Sequence, residues 1–175
     1  MVRAMKNNQK IFYFVEGKCE EKLINSLKNS YLKSGEIKKI NVVTTAIKKS
    51  DMRNLDKNSN IIIVFDVDVL LKKTFNRNIL NENLLTLKKN KYKVITVEQK
   101  NNLEDEIVYS TKLKKIEQMF NVESVKDHKV KFLTCKDLLV KLNDNSFDIL
   151  KIWSRENAIT NSENESKKIK ISQKI

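Results

Sequence analysis

The sequence predicts an α/β protein built on an open parallel sheet of about four strands, flanked by helices and followed by a mainly helical C-terminal extension. Two observations carry this. Short, nearly unbroken apolar runs at residues 10–15 (K-I-F-Y-F-V) and 61–65 (I-I-I-V-F) suit strands covered on both faces, as in a parallel sheet. Strands also alternate with amphipathic helical segments along the chain, the order that right-handed crossover connections produce. At 175 residues the chain predicts one core. Residues 10–120 form the α/β unit, 121–155 an extension packed on it, and 156–175 a polar, flexible tail.

Taken in order, the first strand at 10–15 ends at Glu16-Gly17. Leu23, Ile24, Leu27 and Tyr31 then recur at helical spacing, and Ser34-Gly35 reads as the stop signal of a helix over 19–31. Residues 40–47 (I-N-V-V-T-T-A-I) are rich in β-branched side chains and predict the second strand. A polar connection follows, with a short helical turn around 52–55. The strand at 61–65 runs straight into Asp66-Val67-Asp68. Residues 78–89 predict a helix, 93–97 a fourth strand, and 103–120 a helix bearing Leu103, Ile107, Val108, Leu113, Ile116 and Phe120 on one face. Residues 129–133 predict a fifth strand, and 137–142 and 147–153 short helices. The last of these has a wide apolar face, which packs on the sheet or serves a partner or self-association.

The net charge of +13 admits two readings. One is a polyanionic partner. The other is an AT-rich genome, which favours Lys, Asn and Ile codons; of 35 basic residues only Arg3, Arg53, Arg77 and Arg155 are arginine, the residue suited to bidentate phosphate contacts. No apolar run approaches the ~18 residues of a membrane span, and the apolar stretch behind the basic N-terminus is too short for a secretory signal, so a cytoplasmic location is expected. Cys19 and Cys135 are far apart, without metal-type spacing, and are expected to stay reduced. His128, the single histidine, lies in a polar run and reads as a solvated loop residue. No Gly-rich phosphate loop of the ATPase type is present. Chemistry is left to carboxylates, lysines and a divalent cation.

The carboxylates gather where parallel sheets bind ligands, beyond the carboxyl ends of the strands. Glu16 ends the first strand, with Glu20 and Glu21 opening the helix. Asp66 and Asp68 end the third, where an extended backbone would place both on one side. Glu104, Asp105 and Glu106 follow the fourth. Hard oxygen donors meeting at one edge repel unless a cation sits between them, and Mg²⁺ or Mn²⁺, as one ion or two, suits such ligands. Acidic residues just past a strand also act as helix caps or first-turn charges, a reading that applies to Glu20, Glu21 and 104–106. It explains two aspartates on an apolar strand poorly. Gly17, one of two glycines, marks a turn with unusual φ or close backbone approach.

The run Phe14-Val15-Glu16-Gly17-x-x-Glu20, followed about 50 residues later by apolar-Asp66-x-Asp68, resembles the topoisomerase-primase (Toprim) domain. Asn102-Leu103-Glu104-Asp105-Glu106-Ile107 is similar to the further acidic stretch of Toprim nucleases of the overcoming-lysogenization-defect type, as is the Glu16/Glu20 pair. The resemblance covers residues 10–120. It implies a metal-dependent nuclease acting on DNA or RNA. Glu16 would be metal ligand or general acid-base group, Glu20, Asp66 and Asp68 would hold divalent cations, and Glu104 or Glu106 would complete a second site. Glu16, Asp66 and Asp68 are thus the catalytic candidates. Lys18, Lys72, Lys73 and Lys100 are candidates for phosphate. The same branches often work with an ATPase, fused or separately encoded, and many serve anti-phage defence by abortive infection. Topoisomerase and primase activities need further domains that 175 residues cannot hold.

Two rivals remain. Ile63-Val64-Phe65-Asp66-Val67-Asp68-Val69 also resembles the nucleophile motif of haloacid-dehalogenase-like phosphatases, in which Asp66 would attack phosphorus and Asp68 act as acid-base. That motif normally begins its fold, whereas two predicted strands precede it here. The other rival is a non-catalytic Toprim-like module that binds nucleic acid or a partner protein.

Overall fold

A computed structural model of the chain describes residues 9–155 and 169–170. Strands β1 (Ile11–Val15), β2 (Glu36–Lys39), β3 (Asn60–Asp66) and β4 (Lys93–Gln99) form one all-parallel sheet in the order β2-β1-β3-β4. Between and after them come α1 (Lys18–Leu27), α2 (Lys49–Met52), α3 (Val67–Lys72), α4 (Thr74–Lys89), α5 (Leu103–Tyr109), a 3-10 turn at Ile116–Met119, α6 (Val125–Thr134) and α7 (Leu138–Asp144). This is the open α/β sheet with flanking helices and a helical C-terminal part that the sequence predicts.

The unbroken apolar runs follow from burial on both faces of the sheet. Side chains of a strand alternate between faces. Tyr13, Val15, Ile62, Val64 and Val97 enter one core with Leu23, Ile24 and Leu27 of α1, Leu103 and Ile107 of α5, Phe132 of α6 and Leu138 and Leu142 of α7. Phe12, Phe14, Ile61, Ile63 and Phe65 enter the other with Val42, Val43, Leu70 of α3 and Leu80 and Leu87 of α4. The chain leaves β1 for β2 on one side and returns to β3 on the other. The crevice at the carboxyl ends of β1 and β3 is therefore the switch point of the sheet, where such folds bind ligands.

Several elements differ from the sequence expectation, each for a local reason. The second strand is Glu36–Lys39, not 40–47. Asn41 Oδ1 accepts from the Val43 and Thr44 amides, and Asn83 of α4 donates to the Val42 and Thr45 carbonyls and accepts from the Ile47 amide. Those side chains give the backbone of 41–47 the partners a strand would have supplied, and Val42 and Val43 bury as anchors of a turn. Gly35 is not a helix stop. It precedes β2, where a Cβ would stand 2.7 Å from the Ile11 carbonyl oxygen.

Residues 129–133 lie in helix α6 rather than a fifth strand: Ser124 Oγ caps the helix by accepting from the Asp127 amide at 3.1 Å, while Ser124 Oγ donates to the Asp127 carboxylate. His128 accordingly faces inward, 1% exposed between the rings of Phe120 and Phe132, and is no solvated loop residue. The helix expected over 103–120 stops at Tyr109, where Ser110 and Thr111 hydroxyls donate to the Ile107 carbonyl. Residues 147–153 form no helix: 147–148 are irregular and 149–153 a turn, with Ser146 and Trp153 at positive φ. Ile149, Ile152 and Trp153 are buried in the sheet core while Leu150 stands exposed. Most of 156–175 lies outside the described residues. Its Ile169-Lys170 pair is docked: Ile169 is buried and Lys170 bridges to Leu32 in antiparallel fashion.

Candidate functional site

Glu16 is the first residue past β1 and Asp66 the last residue of β3, so the two strands at the switch point each deliver one carboxylate to the same crevice. The backbone amide of Asp66 donates to Glu16 Oε1 at 3.4 Å, which ties the two strand ends together. Asp66 occupies the N-cap position of α3, yet its side chain makes no capping hydrogen bond. Among the described residues its Oδ1 is buried without a hydrogen-bond partner, and so is Oδ1 of Asp68. Helix capping therefore does not account for this pair. Asp68 does not share an extended strand end with Asp66. It sits in the first turn of α3, where its amide donates to the Asn101 carbonyl and its Oδ2 pairs with Lys72 at 2.9 Å.

Glu20 does double duty in the first turn of α1. It lies against the backbone of Gly17 and its own amide, which ease its ionisation, and it also faces the charge of Glu104. Gly17 itself is extended, at φ −144° and ψ −176°, so no unusual φ is involved. A Cβ there would come within 2.9 Å of Glu20 Oε2, so the close approach is what favours glycine.

Gathering acids in a half-buried crevice shifts their proton affinity. Burial pushes Glu16 up to about 7, with the charges of Glu20 and Asp68 adding to it against the stabilising Asp66 amide. Burial and then the charges of Glu16, Glu20, Asp68 and Glu104 push Asp66 up to about 8. Burial also raises Glu20. These carboxylates are ionised only at a cost that a nearby cation would remove.

The third acidic segment divides. Glu104, in the first turn of α5, pairs at 3.2 Å with Lys129 of α6 and stays at the acidic edge. Glu106 turns away from it. With its side chain 0% exposed, it accepts from the Lys100 amide at 2.9 Å and the Trp153 amide at 3.0 Å, and Arg155 pairs with it at 2.5 Å. Both its oxygens are thus engaged by protein groups, and Glu106 fastens the C-terminal segment to the turn after β4. Of the two acids expected to complete a second cation site, Glu104 is the one left in place. Asp105 serves locally, joining Asn101 and Asn102 at the start of α5.

Lys18, Lys73 and Lys100 are exposed residues flanking this edge, and Lys72 is tied to Asp68. Lys129 escaped the sequence reading because nothing sets one lysine apart in a lysine-rich chain. Beside it, Cys19, Leu103, Glu104, Ile107, His128 and Phe132 line a crevice that does not admit a water molecule. Burial there pushes the Cys19 thiol up to about 11, which disfavours the nucleophilic thiolate.

No known protein family, curated protein or solved structure matches the chain. The site has to speak through its own chemistry. Among the described residues no three His, Cys, Asp or Glu side chains stand together as a ready metal-binding group. The donor set nonetheless fits a hard divalent cation in kind: carboxylate oxygens only, two of them buried and unpartnered on Asp66 and Asp68. No described helix is long and apolar enough to cross a membrane.

Proposed function

We propose that the chain is a divalent-metal-dependent phosphodiesterase of Toprim type, a nuclease for DNA or RNA. The observation that supports it most is the pair of buried, unpartnered carboxylate oxygens of Asp66 and Asp68 at the switch point of a parallel sheet. Glu16, Asp66 and Asp68 would hold one Mg²⁺ or Mn²⁺, and Glu20 and Glu104 a second. A cation held there would supply activation of water at neutral pH and stabilisation of charge on the leaving oxygen.

The chain's own residues supply the rest. Glu16 would serve as a ligand of the cation or, where it stays off the ion, as the carboxylate that accepts and returns a proton. Asp66 and Asp68 orient what binds between β1 and β3. Lys129 balances the charge of Glu104 and is placed to meet a phosphate, as are the exposed Lys18, Lys73 and Lys100. A separately encoded ATPase partner, a role in anti-phage defence, self-association and a cytoplasmic setting belong to the same reading by analogy of motif alone.

The test is nicking of supercoiled plasmid and cleavage of tRNA, with Mg²⁺, Mn²⁺ or EDTA, by wild type and Asp66→Ala. Metal-dependent cleavage reduced at least a hundredfold in the variant is the expected result. Cleavage equal in both proteins would sink the site assignment. Hydrolysis of small phosphomonoesters but not polynucleotides would favour the phosphatase.

A further inference from the structure

Gln99 ends β4 with no exposed surface, and among the described residues neither its Nε2 nor its Oε1 has a hydrogen-bond partner. A carboxamide offers two donors and an acceptor with two lone pairs, and burying all of them unmet is destabilising. Met or Leu would fill much the same space without that penalty. A side chain of this kind calls for an occupant that the described residues do not provide.

Its place in the sheet says where that occupant lies. The register partner of Gln99 on β3 is Asp66. Partners in a parallel ladder send their side chains to the same face, here the face to which Val64 and Val97, one alternation earlier, contribute buried side chains. Gln99 and Asp66 therefore leave the sheet side by side at its carboxyl edge, where Asp66 Oδ1 and Asp68 Oδ1 are also buried and unpartnered. The turn that follows is pinned twice. The Lys100 amide donates to Glu106, and the Asn101 carbonyl accepts from the Asp68 amide at 3.4 Å. Gln99 is thus fixed in position relative to both aspartates.

We propose that Gln99 is a positioning residue of the acidic site, whose carboxamide hydrogen-bonds the water shell of the divalent cation held by Asp66 and Asp68. This rests on the cation reading given above. Mg²⁺ and Mn²⁺ bound by a few carboxylates keep several waters, and a neutral amide both accepts from such water and donates to the adjoining carboxylate without adding charge to a crowded acidic crevice. Partners of this outer kind typically set metal affinity within a factor of about 10–100.

The experiment is an Mn²⁺ titration of the full chain at pH 8, following free Mn²⁺ by electron paramagnetic resonance, with melting temperatures recorded in EDTA. Wild type, Gln99→Met, Gln99→Glu and Asp66→Ala are compared. The expected pattern is that Gln99→Met melts no lower than wild type in EDTA yet binds Mn²⁺ about tenfold more weakly. Gln99→Glu, which keeps an acceptor at the same reach and adds a negative charge, binds Mn²⁺ no more weakly than wild type. Mn²⁺ affinity unchanged in Gln99→Met overturns the proposal. So does a lower melting temperature of Gln99→Met in EDTA, because the amide would then be serving the protein itself. Wild type binding no more Mn²⁺ than Asp66→Ala is a different failure: it removes the cation reading, and this proposal with it.

Discussion

Asp66 is held at the crevice against its own charge. Its pKa of about 8 and that of Glu16 near 7 mean that the native protein keeps protons which the unfolded chain, at 3.8 and 4.5, has already lost. The sign follows from linkage: where the native state binds more protons, stability falls as pH rises. The contribution of these two groups is fully present below about pH 4 and is lost as pH rises towards 8. Metal-free wild type should therefore lose stability relative to Asp66→Asn across that window, measured as the difference in unfolding free energy at each pH. Mn²⁺ should act in the opposite sense, raising the melting temperature of wild type more at pH 8.5 than at pH 6, because only ionised carboxylates bind it. A difference between wild type and Asp66→Asn that stays flat with pH would show that Asp66 ionises like an exposed acid. Glu16, Asp66 and Asp68 were legible in the sequence because charge is rare at the end of an apolar strand. Glu106 was not separable from Glu104, since two positions along a helix decide which face a carboxylate takes, and its partner Arg155 lies 49 residues away. Gln99 gave no signal at all, for an uncharged amide at a strand end is ordinary until its partners are found missing.

At the level of elements, β1, β3 and β4, helices α1 and α4 and the start of α5 were legible because their burial is set by their own periodicity, whereas α3, which begins directly after β3 at Val67, was hidden by the apolar run it continues. The second strand was not legible. Its residues, Glu36–Lys39, lie at the sheet edge with mixed polarity, and what places them is close approach to β1. Gly35 is the device: a Cβ there would meet the Ile11 carbonyl oxygen at 2.7 Å and Tyr13 Cε2 at 2.8 Å, and Tyr13 is fully buried with its hydroxyl donating to the Lys33 carbonyl. Backbone and a packed ring cannot give way cheaply, as the flexible carboxylate of Glu20 can at Gly17. Gly35→Ala is accordingly expected to cost about 1–3 kcal/mol of stability, the range of overpacking, and Gly17→Ala clearly less, both read by urea unfolding. Equal costs at the two glycines would mean that β2 shifts freely along β1. Helix α6 carried its own announcement, Ser124-x-x-Asp127, and was lost to the competing appeal of Val130, Phe132 and Leu133 as a strand. The capping pair wins because Phe132 and His128 are one helical turn apart and both reach the core.

For the whole molecule, the question left by the net charge of +13 is whether the lysines are placed or merely abundant. The fold separates the two cases, because a parallel sheet has chemically distinct ends. Lys18, Lys73 and Lys100 are exposed at or beside the carboxyl end, around the acids. Lys57, Lys91 and Lys93 are exposed at the amino end, where β3 and β4 begin. Codon bias populates both ends alike and gives them equal influence on a polyanion. A site for a phosphodiester at the switch point does not. Each lysine that meets a phosphate releases counterions and adds about 0.9 to the slope of log affinity against log salt on duplex DNA, or about 0.7 on a single strand. Replacing Lys18, Lys73 and Lys100 together with alanine is therefore expected to lower that slope by about 2–3, measured by fluorescence anisotropy with a labelled oligonucleotide in Ca²⁺ to prevent cleavage. The triple replacement of Lys57, Lys91 and Lys93 removes the same net charge and should leave the slope within about 1 of wild type. Equal losses from the two triples would assign the basic composition to the genome rather than to the site.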